Sequence, residues 1–183
     1  MRRLPRAFYA RDTRVVAREL LGKLVLSQVG RTLYVVRIVE TEAYHGPGDS
    51  ASHARRGLTP RTSIMFGEPG RAYIYLIYGV WNCLNLVTGE TGFPSAVLVR
   101  AGELEGADDQ RAASGPGKLC RALGFDRTQN GEDLVEGTRL WLAEDGSRPK
   151  KTSRGPRINV DYAGRWAAKP WRFWIADHPS VSR

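Results

Sequence analysis

At 183 residues and 42% hydrophobic content the chain has the size and apolar mass of one globular domain, expected over residues 1–183. Its 28 Lys and Arg against 19 Asp and Glu, a formal +9, favour a polyanionic partner without separating DNA, RNA or an anionic membrane from a plain basic surface. Cys83 and Cys120, the only cysteines, stand far apart in sequence and form no C-x-x-C pair, which argues against a disulfide framework or a cysteine zinc site and fits a reducing compartment. No apolar signal region follows the basic start Met1–Arg6, and the longest apolar run, Ala72 to Trp81, is too short for a bilayer, so a soluble, non-exported protein is expected.

Along the chain, Asp12 is placed to cap a helix through Leu21, with Val15, Val16, Leu20 and Leu21 on one side and Gly22 as terminator. Lys23 to Val29 and Thr32 to Tyr44 read as two strands around a Gly30-Arg31 turn. Period-2 alternation in the second strand sets Ile38, Glu40, Glu42 and Tyr44 on one face. From His45 to Gly70 there is no periodicity, and a loop of that length in a compact domain is usually functional.

Arg71 to Val87 gives two strands joined near Tyr78-Gly79, and Ala96 to Ala101 another that brings Leu98 and Arg100 together. Gly115-Pro116-Gly117-Lys118 opens a short helix carrying Leu119, Cys120 and Leu123 and closing at Gly124. Strands follow at Thr138 to Leu142, Arg157 to Val160 and Trp171 to Ile175. Many short strands with few helices predict an α+β domain with a mainly antiparallel sheet.

Chemistry concentrates in Val39-Glu40-Thr41-Glu42-Ala43-Tyr44-His45-Gly46, a strand that ends in acids and an aromatic at the mouth of an irregular loop. A lone carboxylate there is more often a solvated strand end. What favours a site is that His53, Tyr75, Asn85 and Arg100 all lie on or beside predicted strands that can converge on Glu42. Tyr73 suits a plain β-strand, whereas Tyr75 and Tyr78 differ in parity and should do different jobs; such aromatics serve nucleic-acid proteins as stacking platforms and wedges. His45 and His53 with Glu42 lack the spacing of a metal site. The Gly115–Lys118 stretch is either an anion-binding helix start or a plain turn.

Taken together, these blocks resemble the alkyladenine DNA glycosylases of the 3-methyladenine type. The likeness runs through Val16 to Lys23, Ile38 to Tyr44, His53 to Arg61, Met65-Phe66, Tyr73 to Gly79, Cys83 to Asn85, Val97 to Ala101, Gly115 to Cys120 and Tyr162 to Ala167, with Lys169-Pro170 and Arg172-Phe173. The resemblance implies a compact domain with a curved antiparallel sheet and a protruding β-hairpin that enters the minor groove, Tyr78 taking the place of an extruded nucleotide. It implies that the flipped purine lies between Tyr44 and Tyr75, with His53 closing the pocket and Asn85 disfavouring the 2-amino group of normal guanine. Glu42 matches the general base and Arg100 the residue that orients it and its water. Lys118 and Arg61 are the candidate phosphate contacts. At Val80-Trp81-Asn82 this chain departs from the more aromatic pair expected after Gly79.

The activity implied is hydrolytic excision of 3-methyladenine, 7-methylguanine, hypoxanthine or ethenoadenine from double-stranded DNA, without metal or other cofactor. None of the five lysines stands in a nucleophile context, so an intact abasic site is the expected product, with no strand cleavage. A monomer is expected, cytoplasmic and nucleoid-associated in a bacterium, nuclear in a eukaryote. A non-enzymatic duplex-binding module would explain the charge and the tyrosines but not Glu40 and Glu42. A metal-dependent nuclease built on His45 and His53 would lose activity in chelator, and a helix-hairpin-helix glycosylase would need a mostly helical chain.

Overall fold

The computed structural model describes residues 1–182. Among them, nine strands form one sheet: β1 (Arg2–Arg3), β2 (Leu24–Val29), β3 (Thr32–His45), β4 (Ala72–Ile77), β5 (Trp81–Val87), β6 (Ser95–Leu104), β7 (Leu140–Glu144), β8 (Thr152–Gly155) and β9 (Arg172–Ile175). Helices are few and short: α1 (Arg6–Tyr9), α2 (Thr13–Glu19) and α3 (Pro116–Ala122). The strand order is β1-β7-β2-β3-β6-β5-β4, with β9 joining β3 to β8, and every pairing is antiparallel. This is the α+β architecture expected from many short strands. No helix among the described residues is long and apolar enough to cross a membrane.

Strand β3 organises the molecule. One edge pairs with β2 through residues 32–37 and then with β9 at Glu40, Thr41 and Glu42, while the other edge pairs with β6. With neighbours on both edges its backbone groups are satisfied, and every side chain from Ile38 to Ala43 is buried. Helix α2 packs on it: Asp12 accepts from Arg14 N–H at the N-cap, Val16 and Ala17 enter the core, and Thr41 Oγ1 donates to Ala17 O at 2.8 Å.

Simple alternation does not hold through β3. The register against β6 shifts at Ile38/Glu40 and at Glu40/Thr41, a bulge of the kind that re-aims side chains. Ile38 and the opposite-parity Ala43 both join the main core, whereas Glu40, Glu42 and Tyr44 turn to the site described below. The strand expected at Arg157 to Val160 is also corrected. Asn159 there has a φ of +59°, which breaks an extended run, and the strand is Thr152–Gly155, a polar edge segment with no apolar alternation to betray it. Residues 46–70 form an ordered loop with 3₁₀ turns at His53–Arg56 and Ser63–Phe66; Ser52 Oγ caps the first.

Candidate active site

Glu40 and Glu42 leave β3 side by side and are wholly buried. Glu42 Oε2 accepts from the Tyr44 hydroxyl at 2.8 Å, Oε1 accepts from Ile158 N–H at 2.7 Å, and Arg100 Nη1 lies 3.4 Å from the same Oε1. All three partners are donors, which suits a carboxylate, and Oε2 keeps a free lone pair. Glu40 Oε1 accepts from Arg100 Nε at 3.1 Å and Arg172 Nε at 2.6 Å, and its Oε2 accepts from Ser182 N–H at 2.7 Å. Burial opposes the charge on Arg100, but the neighbouring carboxylates Glu42 and Glu40 outweigh it and raise its pKa.

Above this ionic floor opens a cavity of about 550 Å³. Its lining includes Tyr44, His53, Tyr75, Asn85 and Arg100, and around it Tyr78, Arg61, Lys118, Trp81 and Tyr162. Residues scattered over the sequence therefore meet in one place. Glu42 contributes no lining surface and is reached through Tyr44 and Arg100. His53 sits edge-on to Tyr75, ring centroids 4.6 Å apart, and its Nδ1 is 3.0 Å from the Tyr73 hydroxyl, so Tyr73 both fills a core position and fixes a wall of the cavity. Asn85 Nδ2 donates to Tyr73 O and Cys83 O, which holds the amide on the sheet.

Burial, with the nearby guanidinium groups of Arg61, Arg55 and Arg56, pushes the His53 pKa down to about 4, so the imidazole is neutral near pH 7. Burial and Glu42 push the Tyr44 hydroxyl well up, and burial likewise raises Tyr75; both keep their protons. Cys83, also on the cavity wall, is pushed up to about 11 by burial. His45 points elsewhere, toward Phe93 and Trp171, and no group of three or more metal-ligating side chains is gathered among the described residues.

The β4–β5 hairpin ends in Tyr78 and Gly79, with φ of +51° and +72°, closed by Val80 N–H to Ile77 O. Glycine and asparagine suit that left-handed region, whereas tyrosine is strained there. Tyr78 and Val80 project into solvent. Trp81 braces the hairpin: a Cβ on Gly117 would lie 2.7 Å from the Trp81 ring, so only glycine allows this approach to α3. Lys118 and Arg61 are exposed, and the Arg61 guanidinium lies 5.3 Å from the Tyr75 ring centroid.

Several participants escaped sequence reasoning. Arg157 is fully buried and pairs with Asp49 through both terminal nitrogens at 2.5 and 2.9 Å, while its guanidinium lies 4.8 Å from the Tyr44 ring and 5.1 Å from the Trp171 ring. It anchors the turn whose next residue, Ile158, holds Glu42. No local pattern marks Arg157, Asp49 or Ser182, and Arg172 stands in a motif block without a role, because each one's partner is remote in sequence.

The geometry can be set beside proteins of known kind. A family model described as methylpurine-DNA glycosylase matches residues 7–179. Similar proteins carry the name "Putative 3-methyladenine DNA glycosylase". One from Anaeromyxobacter dehalogenans strain 2CP-C is 58% identical over 184 residues, covering 99% of this chain and 87% of that one. Another, from Methanocella arvoryzae, is 50% identical over 192 residues, covering 98% and 96%. A third, from Legionella pneumophila strain Corby, is 46% identical over 185 residues and covers both chains completely.

Proposed function

Because the chain belongs to the methylpurine-DNA glycosylase family, and is thus a DNA-repair glycosylase, we propose that it flips alkylated or deaminated purines out of duplex DNA and hydrolyses their glycosidic bond. The observation that carries this reading is a buried carboxylate, Glu42, held only by donors beneath an aromatic-lined cavity, beside a hairpin whose exposed tip is a strained tyrosine.

A glycosidic carbon cannot be attacked inside a stacked duplex, so the nucleotide must leave the stack, and Tyr78 is the side chain suited to fill its place. The extruded purine fits between Tyr44 and Tyr75 with His53 and Asn85 at its edges. A base alkylated at N3 or N7 is cationic, is attracted to the tyrosine faces, and leaves as a neutral molecule. Glu42 has no surface of its own in the cavity, so the attacking water has to enter between the Tyr44 hydroxyl and Arg100, the two cavity-lining groups that contact it; there it gives a proton to the Oε2 lone pair as its oxygen bonds to the glycosidic carbon and the carbon–nitrogen bond breaks toward the base. General-base assistance of this kind contributes about 10²–10⁴-fold. Arg100, 3.4 Å from Oε1, orients the carboxylate.

Neutral bases such as hypoxanthine also need a proton on the leaving group, and neutral His53 is a poor donor for it. The groups that contact Glu42 are the Tyr44 hydroxyl, Ile158 N–H and Arg100, none of them a nucleophilic amine, so the proposed product is an abasic site in an unbroken strand. Lys118 and Arg61, at the rim, are assigned to backbone phosphates. One domain acting as a monomer suffices, in the bacterial cytoplasm at the nucleoid, or in the nucleus of a eukaryote.

The test is purine release from duplex oligonucleotides carrying one hypoxanthine or ethenoadenine, and from methylated DNA, in EDTA. Native protein is expected to leave alkali-labile sites, while Glu42→Gln binds the same duplex and releases the base about 10²–10⁴-fold more slowly. Tight binding without release by the native chain would replace the enzyme with a duplex-binding module, and loss of activity in EDTA would point to a metal-dependent reaction.

A further inference from the structure

We propose that Glu40 and Ser182 are positioning residues that hold Arg100 back from closing onto Glu42; the inference rests on the roles just proposed for Glu42 and Arg100. The three guanidinium nitrogens of Arg100 each face a different group. Nε donates to Glu40 Oε1 at 3.1 Å, Nη2 donates to Ser182 Oγ at 3.2 Å, and Nη1 stands 3.4 Å from Glu42 Oε1. The first two lie inside the range of an N–H···O hydrogen bond, about 2.7–3.2 Å, and only the contact with Glu42 lies outside it.

The preferred geometry of an arginine–carboxylate pair is a two-pronged fork. An Arg100 free to rotate would form that fork with Glu42 and occupy the lone pair that must receive the water proton. Glu40 prevents this by engaging Nε. It is itself fixed from two further sides, by Arg172 Nε at 2.6 Å and by Ser182 N–H at 2.7 Å. Ser182 is also anchored independently of Glu40: Arg172 Nη2 donates to its carbonyl, and Ser114 Oγ donates to Val181 O. One residue earlier, Ser180 Oγ donates to Gln110 O at 2.6 Å, and Ser180 is wholly buried. The segment around Ser182 thus forms a strap across the back of the ionic floor, gripping Glu40 from 142 residues away in sequence and so keeping the base available.

The experiment compares single-turnover base release from hypoxanthine-containing duplex with the affinity for the same duplex carrying an abasic-site analogue. The proteins are native, Glu40→Gln, Ser182→Ala, Arg100→Gln and the two doubles that combine Arg100→Gln with each other change. Release is expected to fall about 10²-fold for Glu40→Gln, the scale of a small misplacement of a catalytic group, and about tenfold for Ser182→Ala, with affinity unchanged. On top of Arg100→Gln, neither change is expected to add more than about a twofold loss, because both act through that side chain. If Glu40→Gln does not fold, Ser182→Ala and its double carry the same test. Native release rates in the single variants, or losses that multiply in the doubles, overturn the inference while leaving the glycosylase reading intact. A native chain that releases no purine from this duplex, from ethenoadenine duplex or from methylated DNA overturns both.

Discussion

Tyr78→Asn should make the protein more stable and less able to act on duplex DNA. At φ +51° the tyrosine sits where most L-residues are strained by roughly 1–2 kcal/mol, whereas asparagine tolerates the region. Tyr78 is 83% exposed, so little apolar burial is lost with its ring. Net stabilisation of about 1 kcal/mol follows, which in a chain of this size raises Tm by about 2–4 °C. The same change removes the group proposed to fill the gap left by the extruded nucleotide. Unstacking a base step costs a few kcal/mol, so release from a fully paired duplex should fall about 10²-fold, since each 1.36 kcal/mol is tenfold. Opposite an abasic site, where the damaged base has no pairing partner, the deficit should shrink. Differential scanning calorimetry and single-turnover release on the two duplexes measure both halves. A lowered Tm would refute the strain argument, and an equal loss on both duplexes would refute the wedge.

Two further outcomes follow from burial. His53 is held near pKa 4 against 6.5 in the unfolded chain, so from pH 6.5 down to 4 the unfolded state binds the extra proton and stability falls, by at most about 3 kcal/mol. Asp12, Glu144 and Asp145, pushed down to about 2 by their arginine and lysine partners, act only below about pH 4.5, so the upper window isolates histidine, with His45 shifted in the same sense. Urea unfolding of His53→Gln should show a flatter pH dependence between 6.5 and 4.5, and an unchanged slope would remove His53 as its source. Arg157→Met should cost about 3–5 kcal/mol by removing the buried counter-charge of Asp49, read as a lower urea midpoint; a loss under about 1 kcal/mol would mean that the His45 and Ala51 N–H groups, which also donate to Asp49, suffice to hold it.

The elements with a periodic signal were legible: the β2–β3 and β4–β5 hairpins, β6, and α3 with Pro116 at its start and Gly124 past its end. Motif resemblance named side chains on β3, β4, β5, β6 and the 46–70 loop that meet around one cavity. What stayed hidden is tertiary. The β3 bulge coincides with the exchange of β2 for β9 as edge partner, which no local pattern in β3 announces. Arg157-Ile158-Asn159-Val160 alternates like a strand, yet Arg157 is drawn to Asp49, 108 residues away, and the backbone reverses at Asn159. Charged residues in a basic chain look like solvated surface until their partners are known.

The cluster under the cavity is hard to explain by stability alone. Glu40 and Glu42 face Arg100 and Arg172, two negative charges against two positive, with the glutamates wholly buried. Desolvating such groups takes several kcal/mol each, and well-packed apolar residues in their place are often neutral or stabilising. A merely structural cluster would also have no need to leave one contact long, since its most stable form closes every fork. Here the guanidinium is bound closely to Glu40 and Ser182 and loosely to Glu42. That asymmetry is unfavourable as packing, and it is what the role proposed for Glu42 requires, because it leaves that carboxylate a lone pair.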